Sequence, residues 1–469
     1  MESRFVGKDG REDLLLKTPW GNIWIVLTLT LFIAVGAALF PHLSLNFALI
    51  LAVVAFSFIF TVETFLFFVL LMLSLGEYSG GLALVKNSIN IYGADFFLVL
   101  LIILILKSKK VNFRSDFSIF LFVYVAYGLL SLLYGLFYQE HEIHRAIGEF
   151  RRFFFYSLSF FLGYLIIQGK KDREKFEKML SFVPPVILFF AASRLISKTS
   201  WALTIHKEAE DFRAMSYYDG ISLIFVFSYL LSVLFIRKKL NLYQLIVILL
   251  IPIFLMLSGF RVLWGLLFLS LGILFWIFLR AKKRYLQYTI FSVLVICLAL
   301  LSLRHFGGGY YDIMKRKLIN YDNRTEIWRR DAWGSALKKF GGSPLIGTGL
   351  GEEQKFWTKN SAGKWIQTTH PSHNILVDLL LQTGMIGAFL FIIITFKYGL
   401  SVYSSLKKMG DGEKPLLTAL FVFFVCAFIQ ALFQPYFNHP GNAISFFLCL
   451  GIGARMIAPG KDSGLRLIR

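Results

Sequence analysis

Between Tyr218 and Leu279 the sequence reads YDGISLIFVFSYLLSVLFIRKKLNLYQLIVILLIPIFLMLSGFRVLWGLLFLSLGILFWIFL. Three apolar runs, 218–236, 242–258 and 260–279, stand almost back to back, each close to the length that crosses a hydrocarbon core of roughly 30 Å. Only Arg237-Lys238-Lys239 and Ser258-Gly259-Phe260-Arg261 punctuate them. None carries the polar stripe that a helix needs on the water-facing side of a soluble bundle, so lipid is the surrounding medium. The pattern continues outward in both directions. Runs at 22–40, 44–60, 62–76, 94–106, 117–137, 153–168 and 181–197 precede this stretch, and runs at 286–304, 373–400, 416–434 and 440–457 follow it. The count is about fourteen spans, or about twelve if the second and third, joined at Thr61-Val62-Glu63 without a Lys or Arg, form a re-entrant or merged pair. The fold class is an all-α polytopic membrane protein, with residues 1–469 forming a single integral membrane domain.

Composition supports this and excludes alternatives. Apolar residues make up 57% of the 469, 51 of them Phe, and only 16% are charged, which is more apolar surface than a soluble domain of this size can bury. The formal charge of +21 raises the question of nucleic acid, but the cations are dispersed among turns between apolar runs rather than gathered on one face, so no nucleic-acid partner is expected. Clusters such as Lys107-Ser108-Lys109-Lys110, Lys170-Lys171-Asp172-Arg173 and Arg237-Lys238-Lys239 fall on one side of the membrane and set the orientation, with both termini cytoplasmic. The first apolar run ends at Phe40-Pro41-His42 without a small-residue cleavage site and reads as the first spanning helix. Cys297, Cys426 and Cys449 each sit inside an apolar run, where they pack as small hydrophobes; no disulfide and no metal cluster is expected.

On the side opposite those basic clusters, one connection stands apart. Residues 305–372 form a loop of 68 residues with 11 Lys or Arg against 6 Asp or Glu. Its centre, Asn323 to Phe340, predicts a surface helix, with apolar positions at Ile327, Trp333, Ala336, Leu337 and Phe340 and a stop at Gly341-Gly342 before Pro344. Arg324, Arg329, Arg330, Lys338 and Lys339 on it are available to membrane lipid headgroups or a phosphorylated ligand. Gly347-Thr348-Gly349-Leu350-Gly351 lacks the strand-then-helix setting of a dinucleotide fingerprint and predicts a turn.

Where the loop ends come His370-Pro371-Ser372-His373-Asn374 and, after nine intervening residues, Gly384-Met385-Ile386-Gly387. This combination resembles the O-antigen ligase and polymerase superfamily. Leu257-Ser258-Gly259-Phe260-Arg261 and Pro344-Leu345-Ile346-Gly347-Thr348-Gly349 extend the resemblance, which is firm from about Asp211 to Gly387 and weak before Gly93. Phe260 departs from the small or polar residue expected before the Arg. The resemblance implies a GT-C-like bundle in the bacterial inner membrane with a periplasmic active site. It also implies an undecaprenyl-diphosphate-linked glycan as donor, an acceptor saccharide (lipid A-core or a lipid-linked glycan), and no nucleotide sugar, metal or other cofactor. By the same resemblance His373 sits at the reacting centre, and Arg261 and Arg213 hold the donor diphosphate, with Arg324 a further candidate.

The residues agree in kind with that chemistry. Displacing a lipid diphosphate from an anomeric carbon needs cations for the leaving group and a base for the acceptor hydroxyl, roles suited to the arginine fork and to imidazole. Arg145, Arg151, Arg152 and Lys207 are further outer-side cations, whose default role at a membrane boundary is anchoring. Three enzymes fit: a ligase, a polymerase and a protein-directed oligosaccharyltransferase. A transporter would place ionisable groups near mid-membrane, whereas here they gather at helix ends.

Overall fold

A computed structural model describes residues 83–85, 91–92, 95, 101–102, 105, 116–167, 169–197, 215–237, 240–258, 260–279, 323–359, 363–369 and 372–458. The expected spans at 22–40, 44–60, 62–76 and 286–304, and most of 94–106, lie outside these residues, as do Arg213 and His370. Twelve helices are described: α1 Asp116–Phe137, α2 Ile143–Phe153, α3 Ser159–Ile166, α4 Lys170–Leu180, α5 Val183–Ser197, α6 Tyr217–Arg237, α7 Leu242–Leu257, α8 Arg261–Leu279, α9 Asn323–Gly342, α10 Ile375–Leu406, α11 Lys414–Phe433 and α12 Pro440–Ile457. Two short antiparallel hairpins accompany them, β1 Ala83–Val85 with β2 Ile91–Tyr92, and β3 Lys355–Lys359 with β4 Trp365–Thr369. Seven helical stretches among the described residues are long and apolar enough to cross a membrane, which makes the chain an all-α polytopic membrane protein.

The bundle has a centre and a lipid-facing rim. α6 is nearly enclosed, because α5, α7, α8 and α11 pack around it. α1 lies at the rim with 28% buried, and turns Ile119, Phe122, Leu130 and Leu133 outward, as a helix bathed in acyl chains can do without cost. Inside, apolar burial gives helices no preference over lipid, so close packing has to hold them. Where α3 crosses α12, a Cβ on Gly163 would stand 2.1 Å from Leu448 O, and one on Gly451 would stand 2.0 Å from Phe160 O. The two glycines let the backbones touch.

One expected span takes another form. Residues 153–168 read as a single helix, but the structure ends α2 at Phe153, turns through a 3₁₀ segment at Phe155–Leu158 and resumes as the eight-residue α3. Ser157 and Ser159 donate their hydroxyls to Phe154 O and Tyr156 O (2.5 and 2.7 Å), back-bonds that compete with the regular helix ladder. The surface helix appears where it was expected, as α9, but it runs through Gly341 and Gly342 and stops at Ser343-Pro344. Ser343 precedes a proline, whose ring disfavours helical backbone there.

At one end of the bundle, charges tie the helices together. Glu177 on α4 accepts from Arg237 Nη1 and Nη2 on α6 (2.8 and 3.1 Å) and from Tyr229 Oη (3.1 Å). Arg173, one turn earlier, pairs with Glu413 at the start of α11. The opposite end holds α9, the β3–β4 hairpin and the start of α10.

Candidate active site

His373 begins the site. It is one of two described non-glycine residues with left-handed backbone (φ 58°), a conformation that costs an L residue about 1 kcal/mol or more unless its surroundings impose it. Both neighbours are pinned. Ser372 is buried; its N–H donates to Asp378 Oδ1 (3.1 Å) and its carbonyl accepts from Trp333 Nε1 of α9 (2.8 Å). Asn374 caps α10, its Oδ1 accepting from Leu376 N and Val377 N (3.0 and 3.3 Å), so the Asn of the His-Asn pair serves the helix start. The half-buried His373 ring stands edge-on to Trp328 of α9, centroids 4.9 Å apart, and Trp328 in turn meets Phe356 of β3 at 5.6 Å.

Beneath this turn lies a buried polar network. Asp378 Oδ2 accepts from Arg152 Nη2 (3.1 Å), while Arg152 Nη1 donates to Asn438 Oδ1 (2.7 Å) and the same guanidinium pairs with Glu149 (2.8 Å). Burial raises the Glu149 carboxyl above the usual carboxylate range, against the pull of Arg152. Arg151 pairs with Asp95, which also accepts from Tyr156 Oη (3.0 Å), and Arg145 pairs with Glu142 and Glu353 (3.1 and 2.9 Å). Two hydrogen bonds, from Lys355 and Arg145, hold the Glu353 carboxyl down at about 2. The cations of α2 are therefore engaged by acidic partners on the chain itself.

The second half of the motif is a break in a membrane helix. α10 leaves helical geometry at Gly384 (φ 64°, ψ −166°), a region open to glycine almost alone, and the segment Pro344–Gly351 packs into the gap. Leu381 O accepts from Thr348 N and Oγ1 (2.9 and 3.0 Å). Met385 N and Ile386 N donate to Pro344 O and Leu345 O (2.9 and 3.3 Å). From α1, Ser131 Oγ donates to Gln382 O (3.3 Å) and Tyr127 Oη to Thr383 O (2.7 Å). A broken helix is tolerated at membrane depth only when other protein groups re-satisfy the freed backbone, and these residues do so. Gly347-Thr348-Gly349-Leu350-Gly351 is thus a turn, as its sequence suggested, with a defined seat.

Arg261 opens α8, and its side chain is exposed. Phe260, the unexpected neighbour, is buried edge-to-face against Tyr217 at 5.5 Å, which fixes the start of α8 on the start of α6. From there contacts run across the same end of the bundle. The Tyr217 and Tyr218 hydroxyls touch, Tyr218 lies 4.4 Å from the His439 ring, and Asn438 beside it receives Arg152, which reaches Asp378 and the His373 turn. Burial pushes the His439 imidazole down to about 4. Arg324 lies in the first turn of α9, and Arg213 precedes the described Met215 by two positions. Arg261 and His373 therefore share one end of the bundle.

The sequence did not point to Asp378, Glu149 or Arg152 as one cluster, since 226 residues separate Arg152 from Asp378. The available signal was an acid and two arginines beside the membrane boundary.

Fold and site together define a polytopic membrane protein whose ionisable groups converge where a long loop meets a broken helix. Residues 245–392, a segment running from α7 into α10, match the family model described as O-Antigen ligase (Wzy_C). The chain is also 28% identical over 169 residues to the ComP-specific O-oligosaccharyltransferase of Acinetobacter baylyi (strain ATCC 33305 / BD413 / ADP1). That alignment covers 34% of this chain and 28% of the relative's length. His373, Arg261 and Arg324 fall inside the matched family segment, and Arg213 precedes it.

Proposed function

We propose that this chain is a glycosyltransferase of the O-antigen ligase type, moving a glycan from undecaprenyl diphosphate to a saccharide acceptor, lipid A-core, at the periplasmic face of a bacterial inner membrane. The observation that carries the reading is the His373 turn: a titratable side chain held on left-handed backbone, inside the family segment, at the end of the bundle that also presents Arg261. Strain of this kind clusters at functional sites because a working geometry is what it secures.

In the proposed reaction the acceptor hydroxyl oxygen attacks the anomeric carbon, and the hydroxyl proton passes to a ring nitrogen of His373. The bond from that carbon to the diphosphate oxygen breaks, and its electron pair leaves with the lipid diphosphate. Arg261, Arg213 and Arg324 stabilise the charge growing there, and no metal or nucleotide sugar takes part. With both termini cytoplasmic, residues 305–372 stand in the periplasm.

The test uses purified protein with a lipid-linked donor and separated acceptors. His373→Ala is expected to lose about a hundred- to ten-thousand-fold in turnover at wild-type protein levels. Undiminished transfer by His373→Ala would remove the base assignment, and turnover lost to a chelator and restored by one divalent ion would remove the metal-free scheme. A second reading, transfer to a protein hydroxyl, is favoured by the likeness to the Acinetobacter ComP-specific O-oligosaccharyltransferase. Glycolipids of a deletion strain separate the readings by mass spectrometry: long undecaprenyl-linked chains with bare lipid A-core for a ligase, single repeat units for a polymerase, unglycosylated protein for an oligosaccharyltransferase.

A further inference from the structure

The network under the His373 turn is an unusual investment. Arg152 and Asp378 are both largely buried, and a buried ion pair is poor evidence of stabilisation because desolvation offsets the attraction. Its geometry is specific instead. One Asp378 oxygen takes the N–H of Ser372, the residue before the left-handed His373, and the other takes Arg152 Nη2, while Arg152 Nη1 donates to Asn438 between α11 and α12. The Ser372 hydroxyl and the Asn374 backbone bond to each other across the turn (2.9 and 3.1 Å). The His373 backbone is thereby held from α2, α9, α10 and the α11–α12 connection at once.

We propose that Asp378 and Arg152 are positioning residues for His373, the carboxylate fixing the backbone of its turn and the guanidinium fixing the carboxylate. The proposal rests on the reading of His373 as the base. Asp378 touches the turn through Ser372 N–H, so removing it releases the left-handed backbone without touching the imidazole. Arg152 acts through Asp378, and its loss leaves two carboxylates, Asp378 and Glu149, without their cation.

The full chain is tested in nanodiscs with lipid-linked donor. Asp378→Ala is expected to lower kcat about a hundred-fold, the scale of a misplacement of about 1 Å, with donor KM unchanged. Arg152→Met should lose as much. The double variant Arg152→Met/Asp378→Asn should regain most of that loss, because the Asn oxygen still accepts from Ser372 N–H and position 378 no longer carries a stranded charge, while Glu149, the other acid paired with Arg152, is raised by burial and takes up a proton. A second readout does not depend on turnover: the rate at which diethyl pyrocarbonate modifies His373, measured on its peptide by mass spectrometry. It should rise in Asp378→Ala and return to the wild-type value in the double variant. Wild-type kcat and modification rate in Asp378→Ala, or a double variant no better than Arg152→Met by either readout, overturns the positioning role. Normal transfer by His373→Ala instead sinks the base assignment, and the modification rates still decide whether the turn is held as described.

Discussion

Replacing Gly384 by Ala strikes the point where the long loop and the membrane helix depend on each other. A Cβ at Gly384 would stand 2.2 Å from Leu345 O and 2.4 Å from Leu345 C, both backbone atoms that cannot rotate away. Alanine at φ 64°, ψ −166° also carries conformational strain of about 1–3 kcal/mol. Relieving the clash means withdrawing Pro344–Thr348, which strands the N–H groups of Met385 and Ile386 and the carbonyl of Leu381. Each buried orphan costs about 1–3 kcal/mol, so even partial withdrawal brings the total to about 4 kcal/mol or more, beyond the ordinary range for a point mutation. Gly334→Ala is the matched control: it lies within α9 with nothing within 4 Å of its added Cβ, and should be neutral or stabilising by up to about 1 kcal/mol. Fluorescence-detected size exclusion after graded heating reads both. Gly384→Ala should lose its monodisperse peak well below the wild-type temperature, and Gly334→Ala should keep it. If the two melt together, the packed break does not hold this part of the fold.

Two further outcomes can be measured. His439, buried and pushed down to about 4 from an ordinary 6.5, stays neutral in the folded protein while the unfolded chain takes up a proton. Stability should therefore be level above about pH 6.5 and fall by about 3 kcal/mol as pH drops to about 4; His439→Gln should flatten that slope in thermal scans, and an equal slope in the variant would refute the assignment. Orientation is checked with single cysteines at Ser361 and Ser463 in a chain lacking the three native ones: the first should react with an impermeant thiol reagent in intact spheroplasts and the second should not.

The sequence was legible where one physical rule dominates. Apolar runs announced the helices from α5 to α8 and from α10 to α12, because lipid tolerates little else. α9 was readable from its own pattern, but its end was misplaced by two residues, since glycine permits a stop and Ser343-Pro344 enforces one. The β3–β4 hairpin was not read: five alternating residues, Lys355 to Lys359, with Phe356 and Thr358 inward, are too short a pattern to stand out beside a 68-residue loop. At the site, His373, Asn374, Gly384 and Gly387 were legible as a motif, but the reasons for their spacing were not. Gly384 is explained by a partner some forty residues earlier in the chain, and Arg152 by an acid 226 residues later. Long-range pairing of that kind leaves no periodic trace.

The seat of Pro344–Gly351 in the break of α10 has a consequence for anyone who would recombine this protein with its relatives. A loop that supplies hydrogen bonds to a helix's own missing rungs is not a detachable module, whatever its length or position in the chain. A chimera that imports residues 305–372 from a homologue inherits half of a joint whose other half is Leu381 to Ile386, together with the Tyr127 and Ser131 hydroxyls of α1. Whatever that loop contributes can be exchanged only as a unit that crosses the boundary between aqueous and membrane-embedded chain.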